Sequence, residues 1–283
     1  MEFVNLLFRR GQPLLARSIA VFLLLFPGMP AHAERSARHT HAWEGIRMLQ
    51  FNPSHGVFTE LVDRDPDDRE ALFGQAIALL NVQPRTEGNV DEARRILHTL
   101  KAEDGTDFFG AGARFFLARI EQAHLDPPDT SSAVRRLRDL ADDLPDAIWG
   151  QLAMLKAAPA LLYEPGIDAD ERARRFEELQ TRAQDIILDW VRRPFHVIMA
   201  QASLDFDRTP EEALDHLLAA DPENLIRWQM RADAYVQIGE IARELGRTEL
   251  ARAYYRKFHD EFPRDYRHYM VGRLLEELEG GVP

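Results

Sequence analysis

The 283-residue sequence contains no cysteine, which excludes disulfides, thiolate metal sites, cysteine nucleophiles and lipidated cysteines together. Stability must come from packing. Lysine is scarce as well, occurring only at Lys101, Lys156 and Lys257, so nearly all basic character is arginine. No basic stripe is present and the formal charge is −12, which argues against nucleic acid as a partner. The alternation of β-branched residues that marks a half-buried strand is also missing. The longest apolar run near the N-terminus, Ile19 to Phe26, is far shorter than the roughly 20 residues that cross a bilayer. Low-complexity tracts and long linkers are absent too, so residues 34–283 read as one domain.

What is there begins with an address. Arg9, Arg10 and Arg17 precede the apolar run, Pro27-Gly28 breaks it, and Ala31-His32-Ala33 supplies small residues for a peptidase. This order predicts a cleavable signal peptide over 1–33, with Glu34 as the mature N-terminus and a periplasmic or secreted destination. The residues after the arginine pair fit twin-arginine export poorly and general secretion better. The first 33 residues carry three arginines against one glutamate, which leaves about −14 on the other 250.

Beyond Glu34, apolar residues recur at threes and fours almost throughout, and the expected fold is all-α. Helices are expected near 37–50, 53–64, 67–83, 88–103, 107–124, 129–143, 145–163, 168–192, 194–205, 209–220, 223–245, 247–261 and 263–279. In the eighth, Ala173, Phe176, Leu179, Ala183, Ile187 and Trp190 form one stripe. Asn89 with Glu92, Asp168 with Glu171, and Thr209 with Glu212 have the spacing of capping boxes, and Pro210 sits where a first helical turn tolerates proline. Residues 34–41 read as a flexible arm and 263–283 as a capping helix and tail, the helix covering the final pair with Tyr269, Leu274 and Leu275.

The acidic stretch LVDRDPDDREALF, Leu61 to Phe73, is not a calcium loop. Asp63, Asp65 and Asp67 have the spacing, but Asp68 stands where the loop needs glycine and Gly74 where it needs a bidentate glutamate. Its pattern recurs instead. Pro66 follows Leu61 by five residues and Phe58 by eight, and Pro145 (Leu140, Leu137), Pro222 (Leu217, Leu214) and Pro263 (Phe258, Tyr255) repeat the offsets, as does Gly105 (Leu100, Leu97). Twelve residues before the punctuating position stand Ser54, Ala133, Ala251 and Ala93, with Pro210 the exception. A small residue for close approach, two larger ones for the next layer and a helix stop describe a structural repeat.

The segment from Ala232 to Asp265 resembles a tetratricopeptide repeat. Tyr235, Ile238, Gly239, Gly246, Ala251, Tyr255, Phe258 and Pro263 fit that pattern of large and small residues, while Ala242 replaces the usual aromatic. A partial match from Arg69 to Gly105 uses Leu72, Ala76, Gly88, Ala93, Leu97 and Leu100. The resemblance implies a right-handed α-solenoid, or superhelix, of antiparallel helix pairs, about 12–13 helices in all, closed by a C-terminal capping helix. It also implies a non-enzymatic scaffold that binds a protein or peptide in a concave groove. In that register the groove carries Glu70, Phe73 and Ile77 on an early helix and Asp233, Val236, Glu240 and Arg243 on the last clear repeat, a lining suited to a basic amphipathic segment. The alternative is a small-molecule or envelope-polymer binding accessory with an enclosed apolar cavity.

No cofactor or metal site is expected and no catalytic constellation stands out. Gly110 to Gly112 follow no strand and fit close helix packing better than a nucleotide loop. His39 and His41 fall in the expected arm, and His196 reads as a satisfied core histidine. Trp43, Trp149, Trp190 and Trp228 read as interhelical core. The helix from Ala71 to Val82 is apolar on nearly every side, which predicts enclosure or a partly apolar groove. Because a ligand that does not bind the native state cannot shift unfolding, millimolar calcium should leave Tm unchanged. A saturable rise in Tm that vanishes in Asp65→Ala would overturn the repeat-joint reading.

Overall fold

In the computed structural model residues 36–280 are described, so the expected signal segment lies outside them. Among the described residues all regular structure is helical. The helices are α1 (Ala37–Arg47), α2 (Phe51–Arg64), α3 (Arg69–Leu79), α4 (Glu87–Glu103), α5 (Phe108–Ala123), α6 (Thr130–Asp143) and α7 (Ile148–Leu162). They continue as α8 (Ala169–Arg182), α9 (Asp189–Asp205), α10 (Pro210–Ala219), α11 (Trp228–Glu244), α12 (Thr248–Glu261) and α13 (His268–Gly280). Short connections between extensively packed successive helices make antiparallel neighbours of α1 to α6 and of α9 to α13.

Carboxylates and hydroxyls start most of these helices. Asp68, Asp107, Asp129, Asp168 and Thr209 each accept from a backbone N–H three residues on, satisfying a donor that has no partner within the helix. Asp68 thus answers for the acidic stretch: it caps α3. At α4 the cap is Thr86, which accepts from the N–H of Asn89, so Asn89 lies inside the helix rather than before it. The recurrent stop holds throughout. Phe58, Leu97, Leu100, Leu137, Leu140, Leu214, Leu217, Tyr255 and Phe258 are all fully buried, with Leu61 nearly so, and so are Ala93, Ala133, Ala251 and Ser54.

One expected helix boundary is displaced. The span 168–192 breaks after Arg182 into a 3-10 turn, and α9 begins at Asp189, before Pro194 rather than at it. The stripe conceals the break, because Phe176, Leu179 and Ala183 are buried on one side as a continuous helix would have them. Past the turn the register changes: Ile186 is buried and Ile187 is exposed. The side-chain carbonyl of Gln151 accepts from the Leu188 N–H at 2.9 Å, holding the non-helical backbone there. Residues 37–41, expected as a flexible arm, form the first turns of α1.

The described residues fall into two compact units, residues 36–144 with Ile148–Gly150 and Pro145–Ala147 with residues 151–280. The first is organised around Phe73 on α3, which is 1% exposed. Its ring meets Trp43 (6.3 Å between centroids), Phe108 (6.4 Å), Phe109 (5.8 Å), Phe116 (5.8 Å) and Trp149 (5.7 Å), mostly in tilted or edge-on geometry. Gly112 makes room for it, since a Cβ there would lie 2.6 Å from the Phe73 ring. Gly74, on the same helix, leaves space for Phe58, whose ring would be 2.3 Å from an added Cβ. The glycine-rich start of α5 therefore serves close packing. Trp43 donates its Nε1–H to Glu70 at 2.7 Å, satisfying both polar groups inside the unit.

The second unit has two apolar clusters. One joins α9, α10 and α11 through Ala200, Ala213, Leu214, Leu217, Ala234 and Ile238. The other joins α11, α12 and α13 through Tyr235, Ala251, Tyr255, Phe258 and Val271. On α13 the inward positions are Val271, Leu274, Leu275 and Leu278. Tyr269, expected among them, is 77% exposed, because two residues along a helix turn the side chain about 200° from Val271. Phe73→Ala should cost about 3–5 kcal/mol in urea unfolding, since truncation removes a ring that the surrounding aromatics cannot collapse to replace. A change within experimental error would mean that the ring is not the hub of this unit.

Candidate functional site

The expected groove residues separate into two groups. Glu70, Phe73 and Ile77 are buried in the first unit, with Ile77 1% exposed. They cannot line an open groove there. Helical spacing alone placed them on one face, but α3 packs against α1, α2, α4 and α5 and none of its residues is exposed. Val236 is buried in the second unit. Asp233 and Glu240 are half-buried on α11, and Arg243 is exposed near its end.

The hairpin of α11 and α12 holds those polar groups on a rigid base. Gly239 faces Tyr255, and a Cβ at 239 would sit 2.3 Å from that ring, so the two helices meet at near-backbone distance. Gly246, at φ +68°, turns the chain between them in the left-handed conformation that favours glycine. Phe258 and Phe262 close the far end, 5.6 Å apart, with Trp228 stacked on Phe262 at 6.4 Å. Residues 233–265 match the tetratricopeptide repeat model. No curated protein matches the chain. The fold is accordingly a tetratricopeptide-like arrangement of helix pairs with one clear repeat, and α13 packs on that repeat as a terminal helix.

Electrostatics distinguish the carboxylates along α11. Asp233 is engaged: Arg267 donates Nη1–H to it at 2.7 Å and Nη2–H to Asp265 at 2.9 Å, while its guanidinium lies 5.3 Å from the Phe258 ring. Hydrogen bonds from Arg267 hold the Asp265 carboxyl below the usual carboxylate range, more than offsetting the opposing effect of burial. Glu240 has no hydrogen-bond or ion-pair partner among the described residues. Burial pushes its pKa up, Glu244 adds to the rise, and Arg243 and Arg267 offset it in part. Gln237 lies half-buried one turn before Glu240, and Glu244 is exposed one turn after it. The row Gln237, Glu240, Glu244 is thus an under-satisfied acidic ridge. Burial together with like charge is a signal that sequence spacing does not carry, which is why Glu244 was missed.

Other constellations are structural. His39 bridges Ser36 Oγ (2.7 Å from Nδ1) and Asp68 Oδ2 (2.7 Å from Nε2), a hydroxyl–imidazole–carboxylate line. Both ends of that line cap helices: Ser36 Oγ accepts from the His39 N–H, and Asp68 Oδ1 accepts from the Ala71 N–H. The line ties α1 to α3. Trp43 and Trp149 are core, Trp190 is half-buried, and Trp228 is 54% exposed, against the expectation that all four are interior. Among the described residues no group of three or more histidines and carboxylates is arranged to hold a metal ion. No helix among them is long and apolar enough to cross a membrane. Arg267→Ala should lower stability by roughly 1–3 kcal/mol, because it strips the partly buried Asp265 and Asp233 of their shared cation. Urea unfolding with no shift in midpoint would show that the pairing is incidental.

Proposed function

We propose that the chain is an exported, non-catalytic tetratricopeptide-type scaffold that holds a protein segment against the α11 face of its last repeat. The observation that carries the reading is Glu240: a half-buried carboxylate with raised proton affinity and no hydrogen-bond or ion-pair partner among the described residues, set on the hairpin whose two helices meet at Gly239 and Tyr255. Such a group is stabilised by an incoming cation, because an opposite charge offsets both its burial and its repulsion by Glu244. The favoured occupant is a basic amphipathic segment whose lysine or arginine reaches Glu240 and Glu244. Gln237 offers it hydrogen bonds, and Asp233 stays committed to Arg267. Export is supported by the order of charge, apolar run and small residues in 1–33.

A fluorescence-anisotropy titration with matched cationic and acidic amphipathic peptides tests the reading. The cationic peptide should bind, with weaker affinity in added salt and about tenfold loss in the Glu240→Gln, Glu244→Gln variant, while helical circular dichroism stays intact. Equal binding of both peptides, or unchanged affinity in that variant, would sink it.

A further inference from the structure

His196 on α9 and His216 on α10 meet edge to edge, Nδ1 to Nδ1 at 3.0 Å, with ring centroids 5.2 Å apart. Such a contact requires one Nδ1 to carry hydrogen and the other a lone pair, so it cannot persist with both rings protonated. His216 is 7% exposed and its Nε2 has no hydrogen-bond partner. An unpaired N–H there would cost more than an unpaired lone pair. The arrangement that avoids it has His216 donating from Nδ1 to His196, and His196 carrying its own hydrogen on Nε2.

We propose that this imidazole pair is an acid-sensitive latch between α9 and α10, closed while both rings are neutral and opened by protonation. One added proton, on whichever ring it lands, leaves His216 with a buried orphan Nε2–H if the Nδ1–Nδ1 contact is kept. A second proton sets two N–H groups of like charge face to face. Among the described residues no acceptor is placed to receive a hydrogen on His216 Nε2. Arg192 on α9 adds positive charge beside His196. On α10, Glu212 and Asp215 favour a proton on His216, but Glu212 is gripped by Arg208, which donates from Nε at 2.5 Å and Nη2 at 3.1 Å. From α8 comes the Phe176 ring, 6.1 Å from His216 and under the Arg208 guanidinium at 4.2 Å. The α11 side of α10 is apolar, through Ala234, Ile238 and Ile241.

Burial, first, lowers the proton affinity of both rings, and His196 is brought down to about 4 with help from His216 and Arg192. The sign of the effect follows. Above the unfolded histidine value of about 6.5 both states are neutral and the latch is intact. Between about 6.5 and about 4 the unfolded chain binds protons that the folded pair refuses, so stability falls as pH falls.

Urea unfolding of the full chain from pH 7.5 to 4.5, compared with the His196→Gln, His216→Gln variant, measures the latch apart from the other histidines. The wild-type unfolding constant should rise about 10–100-fold more than that of the variant. Amide exchange at pH 4.5 should quicken in α9 and α10 relative to α12, a ratio that cancels the intrinsic pH dependence. Should the variant not fold, NMR titration of the wild-type imidazoles decides, with both expected below the ordinary value. Either ring titrating near 6.5 in the folded chain, identical pH profiles for wild type and variant, or an unchanged exchange ratio would overturn the proposal.

Discussion

A ring lying against a glycine is the contact on which the packing of these helices depends. Phe58 occupies the space a side chain would take at Gly74, Tyr255 does so at Gly239, and Phe73 and Trp149 share it at Gly112. In each case two helices approach to near-backbone distance, and the ring then fills the layer beneath. The contact is strict because an added methyl would fall within bonding-like distance of ring carbons that are themselves held by other packed side chains. Once these approaches exist, alanines such as Ala93, Ala133 and Ala251 can be buried completely and the larger residues of each repeat close over them.

Charge is arranged around that packing. The chain is acidic overall, yet most of its arginines find carboxylates on a neighbouring helix or one turn away, as Arg69 does with Asp107, Arg193 with Asp221 and Arg267 with Asp233 and Asp265. Exposed pairs of this kind contribute little to stability individually. Their consequence is local neutrality, against which exceptions become visible. Glu240 with Glu244 is an excess of negative charge on a packed face, and His196 with His216 is a pair of bases with a single shared hydrogen.

Much of the fold was legible in the residues. The repeated offsets before Pro66, Pro145, Pro222 and Pro263 predicted buried positions correctly, because a helix stop and a two-layer apolar spacing are local properties of the chain. The caps at Asp168 and Thr209 were legible for the same reason. The break after Arg182 was not, since the stripe through Phe176 and Ala183 runs on across it and Gln151, distant in sequence, helps to hold the turn. Tyr269 failed because an amphipathic helix has two edges, and only contact with α12 decides which residues face inward.

The candidate site divides along the same line. Sequence by itself determined that the chain is built of paired helices, where most of them stop, and that Tyr235, Gly239, Tyr255 and Pro263 belong to one repeat, because each of these follows from residues within a few helical turns of one another. Tertiary structure alone decided which helical face is open. It enclosed Phe73 and Ile77, left Glu240 half-buried with no partner among the described residues and brought His196 against His216. Burial and the pairing of charges are sums over neighbours from other helices, and no spacing along a single helix contains that information.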